Sequence, residues 1–461
     1  MTVPDPPPPP SLGEAVRTWA RIAFLSFGGP AAQIALMHRV LVEEKRWIGE
    51  RRFLHALHFC MLLPGPEAQQ LTIYLGWLLN GLRGGLLAGI LFVLPGYVTL
   101  TGLSVLYLTV GRLPLVQATF FGLRAAVLAI VLEAVIRIGR RSLRNRTMLG
   151  LAALAFLALF ALAVPFPLVV LGAGLLGWLG GRFGLPPFLP GDGPSGRSPR
   201  GEPGSTLGET LPAHARTGPG WSARVVAVGL PLWLAPTLLL VTLLGSDHVL
   251  TALARLASVL ALVTFGGAYA VLAWLARVAV ETHGWLTPSE MLDGLALGET
   301  TPGPLIIVLL FVAFLAAFRE PGGLDPLQAG LLGGTLVTWV TFVPCFVWIL
   351  AGAPYVERLR ADRTLAAALE AIGAAVTGVI LHLATWFALH TLFLVVEPVR
   401  LGPLVLDLPV LASWNPAACL LTLGALLAVF RFRIGLAPLL LGGAAAGLGL
   451  HLLRFELLGF L

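Results

Sequence analysis

Apolar residues in this chain fall in long runs that polar stretches interrupt. A helical run of about 20 predominantly apolar residues is long enough to cross a bilayer. The pattern predicts an all-α polytopic membrane protein, with apolar segments at 14–37, 53–80, 86–110, 114–136, 147–163, 166–182, 223–244, 250–278, 291–318, 327–352, 364–396, 415–430 and 436–453.

One long stretch breaks this pattern near the middle of the chain. Residues 185–222 are dense in Pro and Gly, and they carry too few apolar side chains to offset the entropy of folding. We interpret them as a disordered linker. The predicted organisation is a Pro-rich tail (1–11), a first membrane repeat (12–184), the linker (185–222), a connecting transmembrane helix (223–249) and a second membrane repeat (250–461).

Composition supports a membrane protein and excludes the soluble classes. Of the 461 residues, 57% are apolar and 11% charged, and the mean hydropathy is +0.89. Soluble domains carry roughly 25% charged residues. The net charge of +7 comes from cations in short loops, where Lys and Arg set membrane topology, so we expect no nucleic-acid partner. The three cysteines lie singly, without metal-ligand spacing, so we expect no metal and no cofactor.

The two membrane halves repeat each other in a constant register. The offset is 238 residues in the first part of each half and 249 further on, so an insertion of 11 residues lies near 319–326. The matched elements are FGG (27–29 and 265–267), Glu43 with Glu281, Trp47 with Trp285, PGP (64–66 and 302–304), Gly84–Gly85 with Gly333–Gly334, Pro95 with Pro344, and AAV (125–127 and 374–376).

Loop charges predict that the two halves have opposite orientations. The loop around Trp47 holds five Lys and Arg residues, whereas the loop around Trp285 holds only Arg277. Cations concentrate on the cytoplasmic side of a membrane. We therefore expect an inverted repeat, with the N-terminus and the linker in the cytoplasm. When the spans are counted back from the basic loop at 137–146, each of the two broken segments of the first half enters and leaves the membrane on the same side. Both broken segments are therefore expected to be re-entrant.

The breaks are the candidate binding site. Gly-Gly-Pro and Pro-Gly-Pro interrupt helices, and non-helical backbone at membrane depth is tolerated where it is buried or lines a cavity. Broken segments at matching positions of two halves indicate a transporter's binding site. New half-helices begin after Pro66 and Pro304, and the N–H groups of 68–70 and 305–307 would be free to bind an anion. The candidate residues are Gly28, Gly29, Pro64, Gly65, Pro66, Gln69, Gln70, Gly266, Gly267, Thr300, Thr301, Pro302, Gly303 and Pro304. The alternative is a pair of packing kinks.

Three charged residues add to this picture. Arg124 lies inside an apolar run, where a cation is costly; it is a further candidate for binding the anion, and its alternative role is a structural ion pair, for example with Glu299. Glu299 is the candidate for coupling transport to a proton, and its alternative is helix capping. We assign Glu67 to capping of the half-helix that follows it.

These motifs together resemble the chromate ion transporter (CHR) family in its long two-domain form. FGGP (27–30), Glu43, Trp47, LPGP (63–66) and Gln69 carry the resemblance in the first half. TFGGAYA (264–270) and GETTPGP (298–304) carry it in the second, and GLRAAV (122–127) places Arg124 at the family's basic position. Ala268 stands where the first half has Pro30, so the two halves differ there.

The resemblance implies a secondary transporter in the inner membrane that exports chromate, and with it chromate resistance, with sulfate as an analogue and an ion gradient as the driving force. Uptake or exchange of sulfate or another divalent anion is the alternative within transport. A membrane-embedded enzyme is the alternative of another class, although neither a P-loop nor a hydrolase motif occurs in the sequence. The expected partners are the transported anion and the lipid bilayer; homodimerisation stays open.

Overall fold

The computed structural model describes residues 9–188, 205–207, 212–215, 217–265, 267–356, 362–402 and 404–459. The described part of the first half consists of helices joined by loops. Its helices are α1 (Leu12–Leu25), α2 (Gly29–His38), α3 (Glu50–Met61), α4 (Glu67–Val110), α5 (Pro114–Ser142), α6 (Arg146–Phe160) and α7 (Phe166–Arg182), and α8 (Pro219–Leu244) connects it to the second half.

The second half repeats this order of elements. Its helices are α9 (Val249–Val263), α10 (Ala268–Arg277), α11 (Pro288–Thr300), α12 (Val308–Arg319), α13 (Pro326–Gly352), α14 (Arg363–Leu392), α15 (Pro416–Phe430) and α16 (Leu436–Gly459). The π-helical segments Arg39–Glu44 and Val278–Thr282 extend α2 and α10 at matching positions. The predicted two-repeat, all-α membrane fold is confirmed.

A hairpin of two close-packed helical arms follows the break in each half. Helix α4 turns back on itself at Asn80 and Gly81, and a Cβ added at Gly76 would lie 2.6 Å from the carbonyl oxygen of Gly84. In the second half α12 and α13 make the same contact, where a Cβ on Gly333 would lie 2.9 Å from the carbonyl oxygen of Ala313. Glycine at these positions lets the helix backbones touch, as in other membrane helix pairs.

The repeat extends further along the chain than the sequence motifs indicate. Asn145 caps α6 and Asn415 caps α15, each by accepting a hydrogen bond from the backbone N–H three residues on. Ala163 and Arg433 share a left-handed φ of 53° in the loop that follows. Both pairs lie 270 residues apart. The last two helices of each half are therefore equivalent.

The residues that lengthen the second repeat before α15 include an element that the apolar pattern does not predict. Strands β1 (Val396–Leu401) and β2 (Leu404–Pro409) form an antiparallel hairpin, with Val396 opposite Pro409. The apolar run predicted to end near 396 ends as a helix at Leu392. Within the described residues this hairpin is the one departure from helical structure long enough to form strands.

Many of the helices suit a lipid environment. Among the described residues, six helices have the length and apolar composition to cross a membrane. Helix α8 has the most open surface of these six, since Leu238 and Leu243 expose 63% and 70% of their area. Such large exposed leucines are expected where a helix faces acyl chains rather than water.

Parts of the predicted linker contact the first half. Leu207 donates its backbone N–H to the carbonyl oxygen of Trp47 and accepts from Gly49, and Ile48 and Leu207 form a parallel β-bridge. His214 lies within hydrogen-bond distance, 2.9 Å, of the carbonyl oxygen of Trp77. These residues of 185–222 are ordered against a helical framework. Disorder stays a prediction for the stretches of the linker that lie outside the described residues.

The chain divides into two compact units that do not coincide with the two repeats. The first unit comprises Met1–Thr101, Trp178–Ala268 and Thr301–Leu369, and the second comprises Gly102–Gly177, Tyr269–Thr300 and Glu370–Leu461. Each unit thus takes helices from both halves. The first has an aromatic core that includes Trp19, Phe53, Phe59 and Trp77. The second packs through small residues, among them Gly122 of α5 against Gly443 of α16.

Candidate functional site

The first break separates α3 from α4 and lies in the first compact unit. Gly65 adopts a φ of +129°, a conformation that side chains with a Cβ rarely take. Its N–H donates to the carbonyl oxygen of Thr264, at 2.8 Å, just before the Gly-Gly element of the other half. Gln70 Nε2 donates to the carbonyl oxygen of Pro64 at 2.7 Å. The break is therefore held by the second repeat as well as by its own helix.

The second break, in the same unit, makes the reciprocal contact. Gly303 has a φ of +96°, and its N–H donates to the carbonyl oxygen of Ser26 at 2.8 Å. Ser26 and Thr264 are equivalent positions, as are Gly303 and Gly65. Exchange of the same contact in both directions is what a two-fold relation between the repeats produces. The breaks are thus built around a pseudo-two-fold axis.

A second reciprocal contact brings each break against a proline-containing helix of the other half. A Cβ added at Gly65 would lie 3.0 Å from Cys345 Sγ. Gly96, the equivalent of Cys345, lies so near the second break that its own Cβ would be 2.5 Å from the carbonyl oxygen of Pro302. These distances leave no room for side chains. Close approach of the glycine backbones to their neighbours therefore shapes this region.

Buried glutamines surround the two breaks. Gln33, Gln69 and Gln70 are 1%, 0% and 0% exposed. Gln33 Nε2 donates to the carbonyl oxygen of Gly303 at 2.7 Å, so Gln33 acts at the second break as Gln70 acts at the first. Within the described part of the chain, both amide atoms of Gln69 and the Oε1 atoms of Gln33 and Gln70 have no hydrogen-bond partner.

Such unsatisfied amides are costly in a protein interior. Nearly all buried polar groups are hydrogen-bonded, and each exception calls for an explanation. A polar ligand bound between the breaks would provide one. Gln33 is not among the residues predicted from the sequence, although a glutamine three residues after Pro30 in an apolar segment is a signal that points to it.

The structure brings most of the predicted site residues into this first unit. They are Gly28, Gly29, Pro64, Gly65, Pro66, Gln69, Gln70, Gly267, Thr301, Pro302, Gly303 and Pro304. Gly28 and Gly29 begin α2 with positive φ, as does Gly267 just before α10. Gly266 lies outside the described residues. Thr300 belongs to the second unit, and its hydroxyl donates a hydrogen bond to the carbonyl oxygen of Leu297.

The half-helix termini offer fewer free donors than the sequence suggests. The N–H of Gln70 donates to the carbonyl oxygen of Pro66, and the N–H of Ile307 to that of Pro304. After Pro304 the chain first makes a 3-10 turn, Leu305–Ile307, before α12 begins. The expectation of three unused N–H groups at each break is wrong, because the third group already closes the first turn. Glu67 is the first residue of α4, where a carboxylate suits the helix dipole.

A charged cluster occupies the second unit. Arg124 donates from Nε to Asp293 Oδ1 at 2.7 Å and from Nη2 to Asp293 Oδ2 at 2.9 Å. Tyr107 donates its hydroxyl to Asp293 Oδ2 at 2.8 Å, and Arg124 Nη1 lies 3.4 Å from Ser289 Oγ. The suggested pairing of Arg124 with Glu299 is wrong: the partner is Asp293, which lies nearer to the start of α11 than Glu299.

Glu299 has a different environment. It is 4% exposed and accepts a hydrogen bond from the Tyr269 hydroxyl at 2.7 Å. Among the residues that the structure describes it forms no ion pair; Arg137, for example, pairs with Glu133. A carboxyl group that is buried without a cation strongly favours its neutral form. Glu299 is therefore suited to carry a proton, whereas Asp293 has a guanidinium as its partner.

The two regions differ in chemistry. The breaks offer backbone groups and neutral amides around a two-fold axis, and the charged cluster offers a guanidinium fork already filled by a carboxylate. Within the described residues no group of three His, Cys, Asp or Glu side chains is placed to hold a metal ion.

Comparisons with known proteins identify the family to which this chain is similar. The family model described as "Chromate transporter" matches residues 13–178 and 251–448. The chain is 32% identical to the chromate transport protein of Pseudomonas aeruginosa over 81% of this chain and 80% of that protein. It is 28% identical to the chromate transport protein of Cupriavidus metallidurans over 80% and 81% of the two chains. An uncharacterized transporter of Methanocaldococcus jannaschii is 23% identical over 82% of this chain and 85% of its own length. No solved structure matches.

Proposed function

This chain belongs to the chromate transporter family, and we propose that it exports chromate from the cell as a secondary transporter driven by an ion gradient. Sulfate, which is also a tetrahedral dianion, is the expected second substrate. We place the protein in the inner membrane with the N-terminus and the linker in the cytoplasm and with the two repeats inverted. A single connecting helix between two repeats with the same order of helices supports the inversion. If each repeat crosses the membrane an even number of times, the one extra crossing reverses the second repeat.

The observation that carries the proposed binding site is the unpartnered, fully buried amide of Gln69 beside the two interlocked breaks. A tetrahedral oxyanion needs hydrogen-bond donors, and desolvating it costs far more than one hydrogen bond returns. Gln69 Nε2 supplies a donor, and the start of α4 adds the positive end of a helix dipole. The Oε1 atoms of Gln33 and Gln70 suit water or a hydroxyl that accompanies the anion.

Coupling to a gradient is assigned to Glu299. The proposal rests on its burial, its single hydrogen bond from Tyr269 and its lack of an ion pair in the described part of the chain. A carboxyl group in this environment takes up and releases a proton as its surroundings open and close. We propose that this proton crosses the membrane in the direction opposite to the anion in each transport cycle.

Flux measurements on purified protein in proteoliposomes test both parts. Radiolabelled chromate and sulfate should move in response to an imposed proton gradient, and Gln69→Leu should weaken anion binding by about tenfold, the loss expected for a buried hydrogen bond to a charged group. Glu299→Gln should abolish the response to the gradient but retain anion exchange. Glu397→Gln, an exposed residue of β1, is the matched control. Gradient-driven flux in Glu299→Gln equal to that of the parent would refute the coupling role.

The alternative within transport is uptake or exchange of sulfate or another divalent anion. Inverted membrane vesicles separate the two, because an exporter accumulates chromate inside them under the cell's own gradient and an importer does not. A membrane-embedded enzyme would release a chemically changed product, so recovery of the label as chromate distinguishes transport from catalysis.

A further inference from the structure

The Arg124–Asp293 pair has the geometry of a bound anion. Two parallel hydrogen bonds of 2.7 and 2.9 Å join Nε and Nη2 of one guanidinium to the two oxygens of one carboxylate. This two-pronged arrangement is the one by which arginine binds carboxylates and phosphates. An edge of a tetrahedral oxyanion presents two oxygens in the same way. Chromate and the Asp293 carboxylate are therefore competitors for the same donors.

Of the two side chains in the pair, Arg124 is the more exposed. The Asp293 side chain is 4% exposed, whereas the Arg124 side chain keeps 21% of its area exposed. An anion can thus approach the guanidinium without first unfolding the cluster. Arg124 belongs to α5 of the first repeat and Asp293 to α11 of the second, so the pair joins the two repeats within the second unit.

We propose that Asp293 is an internal anion, which occupies Arg124 in the substrate-free protein and is displaced by the transported oxyanion. This inference rests on the proposed function, since it requires the substrate to be an oxyanion. It makes Arg124 a substrate-binding residue and Asp293 a positioning residue that keeps a buried cation neutralised between transport cycles. Loading and release of substrate then alternate with breaking and remaking of the ion pair.

Tyr107 has a defined part in this exchange. Its hydroxyl donates to Asp293 Oδ2, the oxygen that also accepts from Arg124 Nη2. When the oxyanion takes the guanidinium, this hydrogen bond remains and stabilises the released carboxylate. Loss of the tyrosine hydroxyl therefore makes displacement harder, whereas loss of the carboxylate charge makes it unnecessary.

The opposite signs of these two effects provide the test. Equilibrium binding of sulfate and of chromate to purified protein is measured for the parent, Asp293→Asn and Tyr107→Phe. We expect Asp293→Asn to bind about tenfold more tightly, because one charge-assisted competitor is gone, while turnover falls. We expect Tyr107→Phe to bind about threefold to tenfold more weakly. Unchanged or weaker binding by Asp293→Asn would overturn the proposal.

A double variant separates displacement from a merely structural ion pair. If the pair only holds α5 to α11, the neutral pair in Arg124→Gln/Asp293→Asn should restore the binding lost in Arg124→Gln alone. If the anion uses Arg124, the double variant should bind no better than Arg124→Gln. Restoration to the parent's affinity would contradict the inference.

Two further comparisons distinguish failure of this inference from failure of the proposed function. If Asp293→Asn does not fold, the Tyr107→Phe measurement decides, since this variant keeps the ion pair; unchanged binding would overturn the proposal. Should the parent bind oxyanions and neither variant differ from it, only this inference is wrong. Should no protein in the series bind chromate or sulfate, the proposed function is wrong as well.

Discussion

The two breaks have similar backbone conformations but different side chains. Gly65 and Gly303 have positive φ, and each donates its N–H to the carbonyl oxygen that precedes the other repeat's Gly-Gly element. Yet Gln69 and Gln70 follow the first break, and Ile307 and Val308 occupy the equivalent positions after the second. Gln33 likewise has Val271 as its equivalent.

This difference separates scaffold from chemistry. The interlocked backbone needs both repeats, because each break glycine donates its N–H to a carbonyl oxygen of the other repeat. The polar lining needs only one repeat, and the first supplies all three glutamines. Duplication thus built a symmetric frame, and the glutamine contacts with substrate that we propose are confined to one side of it.

The largest contrast expected between the repeats concerns their orientation. Single cysteines introduced at 43–50 and at 283–290, in a protein whose three native cysteines are replaced, should react with an impermeant thiol reagent from opposite faces of the membrane. Positive charge surrounds the first loop and not the second. Labelling of both loops from the same face would show a parallel repeat.

Substitution of the break glycines tests the symmetry of the frame. Gly65→Ala and Gly303→Ala should both lower transport at least about tenfold, because a Cβ in these left-handed or extended positive-φ conformations costs about 1–2 kcal/mol before any clash. The added Cβ would also lie 2.7 Å from Gln70 Nε2 or 3.1 Å from the carbonyl oxygen of Phe92.

Gly13→Ala in α1 is the control for this pair, because a Cβ there meets nothing within 4 Å. Transport and thermal unfolding should both be measured. A defect at one break and normal function at the other would show that the frame is not used symmetrically.

Exchange of side chains between the breaks tests the asymmetry of the lining. Gln69→Leu should lose anion binding yet unfold at the same or a higher temperature, since it removes a buried amide without partners. Ile307→Gln, the reverse change at the equivalent position, should destabilise the protein by about 1–3 kcal/mol, because it buries an amide among apolar neighbours. Thermal unfolding with and without sulfate measures both. Equal destabilisation by the two changes would argue against a ligand site at Gln69.

The smallest expected effect concerns the loops that follow the π-helical segments. Leu207 of the linker pairs with Trp47 and Gly49 in the first repeat; within the described residues no strand pairs with Leu286, the equivalent of Ile48. Leu207→Pro removes one backbone donor and should lower the free energy of unfolding by about 0.5–1.5 kcal/mol.

Transport by this variant should stay within about twofold of the parent's, since the single β-bridge between Leu207 and Ile48 mainly adds stability. Replacement of residues 190–204 by a Gly/Ser chain of equal length serves as the comparison and should change neither quantity, because a flexible linker sets only reach. Loss of transport in either variant would reveal a role for the linker beyond connection.

The sequence by itself determined the membrane class, the two repeats and the positions of the breaks. These features depend on local chemistry: run length fixes a spanning helix, and Gly and Pro fix where a helix stops. The constant register of 238 residues then carried the comparison from one half to the other. The β-hairpin at 396–409 was not predicted, because two short strands leave a weak periodic signal beside long apolar runs.

Only the tertiary structure decided which side chains meet. Arg124 pairs with Asp293, 169 positions away, rather than with Glu299, and Gln33 reaches Gly303 across 270 positions. No pattern along the chain encodes these distances, because they depend on how helices from the two repeats pack. Hydrogen bonds and ion pairs are satisfied within about 3 Å, so a shift of one helical turn, about 5.4 Å, changes the partner without changing the apolar pattern.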